Sequence, residues 1–307
     1  MRAVFVDASP ALAAVAGRLP RPAGLDLVVS QTPDITSAEL PALLAGAPIA
    51  VIDHSFLPTD IARACRGLRH VVFLGTGARS YMNPEELADL GIQVHLIRGY
   101  GDTAVAECTI SLMWAAAKGL AFMDRGIRAG NWLRTDGVQL TGKTIGLVGF
   151  GGIAAEVARM AGGMGMRVLA WNRSPRTHKG VDFVDLDTLL AQSHVVSMHL
   201  LLTDDTRGFL SAERIGRMRP GAILVNTARG ALVDEAAMIA ALKSGHLGHA
   251  GLDVYPVEPL PAGHALTDLP NVTLSAHSAF RTPEASDNLI GAAFDHCRRI
   301  IAAGAAA

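Results

Sequence analysis

The chain predicts an α/β fold made of two doubly wound parallel-sheet domains. Three observations carry that expectation. Strand and helix patterns alternate through the first third of the 307 residues. They alternate again beyond Lys143, and that second series opens on a glycine-rich turn set between an apolar run and a helical pattern.

The bulk properties agree. Half of the residues are apolar and 18% are charged, which suits a folded chain with a large core. A formal net charge of −1 gives no broad attraction to nucleic acid or to an anionic membrane, so neither is expected as a partner. Cys65, Cys108 and Cys297 are scattered and form no CxxC pair. This argues against a disulfide framework or a cysteine zinc site and fits a reducing, cytoplasmic setting. Arg2 is followed by apolar residues, but Asp7 and Pro10 interrupt them, so a strand and then a helix are expected there rather than a signal peptide. No run of about 18 apolar residues suggests a membrane span.

Taken in order, the first series has strand candidates at 3–6, 25–29, 49–53, 70–74 and 92–97. Helical patterns lie at 10–18, 37–44, 60–66 and 84–90. No glycine fingerprint follows its first strand, so this half is a poor nucleotide site. One long helix is expected from about Asp102 to Ala129, and Gly130-Asn131-Trp132 ends it. The second series has six strand candidates, at 144–149, 167–171, 194–199, 222–226, 250–254 and 272–275. A last helix at 283–302 lies past the sixth strand, where it is free to return to the first domain.

The turn after the first strand of the second series reads Gly149-x-Gly151-x-x-Ala154. In a dinucleotide site the first glycine permits the tight turn. The second lets the backbone approach a pyrophosphate, and the last small residue lets helix and strand pack closely. The open N–H groups and positive end of the helix then face the phosphates. Gly149, Gly151, Gly152 and Ile153 are therefore candidate cofactor contacts.

Ligands of such sheets sit outside the carboxyl ends of the strands. Arg229 follows the fourth strand of this series, Asp253 and Glu258 the fifth, and His277 the sixth. Carbonyl reduction needs such a set. Hydride arriving at carbon leaves charge on oxygen, and a histidine can donate the proton there. A carboxylate beside it, Glu258, would orient the ring, and the Arg229 guanidinium would polarise the carbonyl or pair with a substrate carboxylate. Bland readings exist for each. His277 can cap a strand end, Glu258 can be an exposed turn residue, and Arg229 can bridge helix ends. His246 and His249 have metal-like spacing but no third ligand nearby, so solvated loop histidines are expected. His199 is expected to pack or support. Arg173, Arg176, His178 and Lys179 read as a solvated loop, and Trp114 and Trp132 as core or subunit contacts.

These residues resemble the D-isomer-specific 2-hydroxyacid dehydrogenase family. The likeness covers nearly the whole chain and is strongest from Leu140 to Pro283. Leu140-Thr141-Gly142-Lys143-Thr144 with Gly149-Phe150-Gly151-Gly152-Ile153 looks like the family's entry to its nucleotide fold. Val225-Asn226-Thr227-Ala228-Arg229-Gly230-Ala231-Leu232-Val233-Asp234 resembles its arginine motif. Gly251-Leu252-Asp253-Val254-Tyr255-Pro256-Val257-Glu258-Pro259 resembles its acidic motif, and His277 stands where its proton donor stands.

The resemblance implies a Rossmann dinucleotide-binding domain, 101–279, and a discontinuous flavodoxin-like substrate domain, 1–100 with 280–307. It implies a homodimer that reversibly reduces a small 2-oxo acid to the D-2-hydroxy acid. Arg229 would bind substrate, His277 would be the acid/base paired with Glu258, and Asp253 would hold the nicotinamide carboxamide. Thr206, Thr227 and Ala228 join the implied cofactor contacts. Leu74-Gly75-Thr76-Gly77-Ala78 looks like the loop whose N–H groups, at Thr76 and Gly77, hold the substrate carboxylate.

Departures from the family pattern are informative. Ala154 replaces a glycine, Leu201 a proline, and Arg79-Ser80 an Asp-Asn pair. Arg79 either favours an acidic or phosphorylated substrate or faces outward. At the second strand's end, where an NAD site commonly has an acidic residue for the ribose, the chain has Asn172, Arg173 and Ser174. Asparagine does not repel a 2′-phosphate and arginine attracts it, so NADP(H) is expected to be preferred, with NAD(H) possible. The rival reading leaves Arg173 in solvent and has Asn172 serve NAD. Two other functions share these motifs: a nucleotide-sensing regulatory protein, and an enzyme acting on 2-oxo acids and amines.

Overall fold

The computed structural model describes residues 1–32 and 34–305. Contacts divide the chain into two units, Met1–Gly101 with Thr282–Ala307, and Asp102–Arg281.

The first unit contains β1 (Arg2–Phe5), α1 (Pro10–Arg18), β2 (Asp26–Val29), α2 (Leu40–Leu43), β3 (Ile49–Ile52), α3 (Thr59–Ala64), β4 (His70–Phe73), α4 (Pro84–Asp89) and β5 (Gln93–Leu96). The strands form one parallel sheet in the order β2-β1-β3-β4-β5. Side chains alternate across it. Ala3, Phe5, Val51 and Val72 face one core, and Val4, Val6, Ala50, Ile52, Val71 and Phe73 face the other. Helix starts follow the expected chemistry. Ser9 accepts from the Leu12 N–H ahead of Pro10, and Asn83 accepts from the Glu85 and Glu86 N–H groups ahead of Pro84. The helix expected over 37–44 is instead a 3₁₀ turn, Ser37–Glu39, running into the short α2, which carries a proline in its first turn.

The second unit contains α5 (Asp102–Lys118), α6 (Leu120–Arg128), β6 (Thr144–Val148), α7 (Gly152–Gly163), β7 (Arg167–Trp171), β8 (Asp182–Phe183), α8 (Leu186–Gln192), β9 (Val195–Met198), α9 (Ala212–Arg217), β10 (Ala222–Asn226), α10 (Glu235–Ser244), β11 (Leu247–Leu252) and β12 (Val272–Leu274). Its parallel sheet runs β12-β11-β10-β9-β6-β7-β8. Strand order reverses on either side of β6, so the glycine turn that follows β6 lies at the switch point of the sheet. Ile145, Leu147, Val195 and Val225 pack under α5 and α7, while Val148, Val196, Leu224 and Leu252 join residues of α8, α9 and α10. Finally α11 (Pro283–Ala305) returns to the first sheet, where Leu289, Ile290, Phe294 and Ile300 join the core that holds α1.

Two expectations need correction. The second sheet has seven strands rather than six, because β8 is only two residues long and shows no periodicity. The long helix from Asp102 is two helices bent by 68°. Gly119 takes a left-handed conformation, φ 61, that ends α5. Among the described residues no single helix is long and apolar enough to cross a membrane.

Candidate active site

The turn after β6 shows why each small residue is there. Gly149 has φ 91, and a Cβ on it would lie 2.8 Å from the His199 carbonyl oxygen, so conformation and space both demand glycine. Its N–H donates to the Trp171 carbonyl at 2.8 Å. Gly151 differs. Its φ of −119 suits any residue, and a Cβ would meet nothing within 4 Å. The fold itself therefore does not require glycine at 151. The open space lies at the start of α7, where the first-turn N–H groups have no intrahelical acceptor, and it fits a dinucleotide pyrophosphate. Gly152 is different again, since a Cβ there would fall on the Asp102 carboxylate. Ile153 is half-buried against the core, and Ala154 is fully buried where α7 meets the sheet.

Beyond β7, the Asn172 side chain is already engaged. Its Oδ1 accepts from the Phe150 N–H at 3.2 Å and its Nδ2 donates to the Ser174 carbonyl at 2.9 Å. Asn172 thus ties the glycine turn to the next loop, and Arg173 and Ser174 are exposed beside it. Arg176 and Lys179 are exposed as expected, while the His178 ring lies 5.2 Å from that of Phe150. After β9, His199 Nε2 meets the buried Ser197 hydroxyl at 2.9 Å, and burial pushes the ring's pKa down to about 4. Thr206 closes its own turn: its hydroxyl accepts from the Thr203 N–H and donates to the Leu201 carbonyl, both at 2.7 Å.

After β10, Asn226 brackets the arginine loop. Its Oδ1 accepts from the Ala228 N–H at 3.0 Å and its Nδ2 donates to the Arg229 carbonyl at 2.9 Å. Thr227 is buried with its hydroxyl 2.8 Å from that of Thr109, which itself donates to the Val105 carbonyl. Arg229 is exposed, with one Nη donating to the Ala228 carbonyl at 2.6 Å. A Cβ on Gly230 would collide with the Tyr255–Pro256 backbone, so the arginine loop and the acidic loop are in contact.

Asp253 follows β11 and is fully buried. Its Oδ1 accepts from the Ser275 hydroxyl at 2.6 Å and the Ser278 N–H at 3.0 Å, and its Oδ2 accepts from the Ala279 N–H at 2.9 Å. Its carbonyl accepts from the His277 N–H at 2.7 Å. One buried carboxylate therefore shapes the loop after β12. Glu258 Oε1 accepts from the Tyr255 N–H at 2.9 Å, and Oε2 lies 2.6 Å from His277 Nδ1. An ionised Glu258 only accepts, so Nδ1 carries the proton and Nε2 is the ring's other working atom. The Tyr255 hydroxyl donates to the Ser275 carbonyl at 2.8 Å, and burial, aided by Asp253 and Glu258, pushes its pKa up to about 12. His277 holds φ 47, in the left-handed region. Arg229, Asp253, Glu258 and His277 thus stand on adjoining loops at one sheet edge.

In the first unit the loop after β4 contains Gly75, with φ 153, followed by exposed Thr76 and half-buried Gly77. The Ile97 N–H donates to the Gly75 carbonyl at 3.1 Å. Arg79 is exposed and ion-paired with Glu85, so the outward-facing reading holds for it. At the same edge Asp7 is fully buried. It accepts from the N–H groups of Asp53, His54 and Ser55 at 2.9, 2.8 and 2.7 Å, and from the Ser55 hydroxyl at 2.8 Å. His54 Nδ1 lies 3.2 Å from Asp53 Oδ2.

The histidine pair is corrected. His246 Nε2 bonds the Ile215 carbonyl at 2.9 Å. His249 is not a solvated loop residue but lies buried on β11 against the Thr273 hydroxyl, with its pKa pushed down to about 4 by burial and Arg125. Among the described residues no cluster suits a metal ion. Trp114 is half-buried, with its N–H 3.2 Å from the Met164 sulfur, whereas Trp132 is 77% exposed and so is not core. Sequence reasoning misses Asn226 and Asp102. An asparagine at a strand end just before a turn is the signal for Asn226. The Asp102–Gly152 contact has no local signal.

The family model for the NAD binding domain of D-isomer specific 2-hydroxyacid dehydrogenases matches residues 110–279. A glycerate dehydrogenase of Methylorubrum extorquens is 34% identical over 277 residues, covering 87% of each chain. The solved TT0316 protein of Thermus thermophilus has a TM-score of 0.85 at 33% identity, covering 96% of this chain and 94% of that one. An acyclic imino acid reductase solved with NADPH and D-Arg has a TM-score of 0.85 at 26% identity, covering 98% and 97%. With these likenesses added to the glycine turn and the loops that carry Arg229, Glu258 and His277, the chain belongs to the D-isomer specific 2-hydroxyacid dehydrogenase family, nicotinamide-dependent oxidoreductases that reduce 2-oxo acids to 2-hydroxy acids.

Proposed function

We propose that the protein reduces a small 2-oxo acid of the hydroxypyruvate or glyoxylate kind to the D-2-hydroxy acid, with NADPH preferred over NADH. The observation that carries this reading is the 2.6 Å pair of His277 and Glu258, with the second Glu258 oxygen fixed by the Tyr255 N–H. The nicotinamide, when bound, supplies hydride to C2. Arg229 holds the substrate and polarises the carbonyl, whose oxygen gains charge as the carbon is reduced. His277 delivers the Nε2 proton to that oxygen, and Glu258 stabilises the imidazolium beforehand. Asp253, fully buried, anchors the loop that carries His277.

The NADPH preference rests on Asn172, which faces the glycine turn from the position where an NAD site commonly has an acidic residue, and on the exposed Arg173 that follows it. The glycerate dehydrogenase likeness supports the substrate class. Leu120, Ile127, Trp132, Leu133 and Val138 are exposed apolar residues of α6 and the segment after it, and they suit a second copy of the chain in a cytoplasmic homodimer. A second reading, reduction of an imine formed from a 2-oxo acid and an amine, is favoured by the imino acid reductase likeness.

The test follows loss of reduced-nicotinamide absorbance with NADPH and with NADH across a panel of 2-oxo acids, each with and without amines. Turnover of an acid alone supports the reading, and NADH preference overturns the cofactor assignment. Amine-dependent turnover selects the second reading. Nucleotide binding without any turnover points to a sensing role.

A further inference from the structure

The sharpest unassigned feature of the nucleotide turn is Asp102. It opens α5, and its Oδ2 occupies the place where a side chain on Gly152 would stand. Helical side chains lean toward the helix N-terminus, so this carboxylate lies at the N-terminal end of α7. That end carries partial positive charge and unpaired N–H groups. No hydrogen bond or ion pair holds Asp102 among the described residues. Glu156, one turn along α7, adds a like charge, and its own counter-charge is spent on Arg159 at 2.8 Å. Glu107, further along α5, faces that same Arg159. A half-buried, unpartnered carboxylate therefore stands beside the open space at Gly151.

We infer that Asp102 is an electrostatic positioning residue for the nucleotide: when ionised it competes with the dinucleotide pyrophosphate for the N-terminus of α7, weakening binding and speeding nucleotide release. This rests on the nucleotide reading of the turn. Burial, followed by Glu156, raises the Asp102 pKa, in keeping with a carboxylate that lacks compensation. A bound pyrophosphate raises it further, so binding takes up a proton in the acid range. Release of a product limits turnover in many enzymes, which gives the repulsion a use.

The experiment titrates NADPH and NADH into the wild-type protein and Asp102→Asn by calorimetry, across about pH 5 to pH 8. Asp102→Asn is expected to bind about fivefold more tightly at the alkaline end, and the two proteins converge as the pH falls. With NADH, which carries no phosphomonoester that titrates in this range, the wild type, but not the variant, takes up protons on binding, read from the heat in buffers of different ionisation enthalpy. Equal affinities with equal pH profiles overturn the inference, as does an absence of proton uptake by the wild type, a readout that needs no variant. If neither protein binds nucleotide, it is the nucleotide reading of the turn that fails.

Discussion

The two sheets end in corners built alike. In the first unit the buried Asp7 gathers three N–H groups and a serine hydroxyl from the loop after β3, and that loop presents His54 beside a carboxylate. In the second the buried Asp253 gathers two N–H groups and a serine hydroxyl from the loop after β12, and that loop presents His277 beside a carboxylate. The histidine side chains are similarly exposed, 41% and 37%. The difference lies in the second carboxylate. Asp53 is the sequence neighbour of His54, whose ring also lies 3.8 Å from Asp7 Oδ2. Glu258 comes from another loop, is fixed by the Tyr255 N–H, and sits 2.6 Å from the ring against 3.2 Å in the first corner. A buried aspartate is a general way to close the end of a parallel strand. An imidazole bonded at 2.6 Å by a carboxylate that another N–H holds in place is the arrangement fitted to proton transfer.

Replacing each histidine tests that distinction most directly. His277→Asn keeps a residue that tolerates the left-handed backbone and is expected to lower turnover about a thousandfold while nucleotide still binds. His54→Asn is expected to change turnover by less than about tenfold. Steady-state kinetics with nucleotide titration decide it, and equal losses would erase the contrast between the corners.

The anchors come next. Asp253→Ala and Asp7→Ala each leave several buried donors unmet, and each is expected to cost about 3 to 5 kcal/mol of stability. Asp7→Ala is expected to cost the more, since Asp7 serves four donors. Only Asp253→Ala should also lower turnover in protein that remains folded. Urea unfolding beside kinetics at low temperature separates the two effects.

The smallest effect concerns pH. Burial holds His95 in the first unit and His199 and His249 in the second near a pKa of about 4, below the usual 6.5. These rings are neutral in the fold and must charge in acid. The stability they permit is complete above about pH 6.5 and is lost as pH falls toward 4. For His249, which is nearly buried, the loss is about 1 to 3 kcal/mol. His249→Gln should flatten the fall of melting temperature between those values, and an unchanged slope would place the acid sensitivity elsewhere.

Much of the fold is legible in the sequence. Strands buried on both faces read as short apolar runs, as Ile49–Ile52 does, so the alternation is plain. Arg229, Glu258 and His277 are legible because a residue just past a parallel strand has only one sheet edge to occupy. Strand β8 is not, since two residues carry no period. The bend at Gly119 is hidden because a glycine inside a helical pattern fits either a break or a continuous helix. Asn172 is legible as a missing carboxylate, but its bond to the Phe150 N–H is not, because side-chain direction is set by packing. The contact of Asp102 with Gly152 joins distant stretches, and only the packing of α5 on α7 creates it.

The backbone of His277 has one further consequence. At φ 47 an alanine would lose the ring and strain the loop together, so its effect would mix chemistry with distortion. Glycine adopts that conformation freely and leaves a ring-sized opening beside Glu258. Free imidazole added to such a variant can enter the opening and restore turnover in proportion to its concentration. The turn that displays the histidine thus makes the proposed proton donor a part whose replacement from solution can be tested.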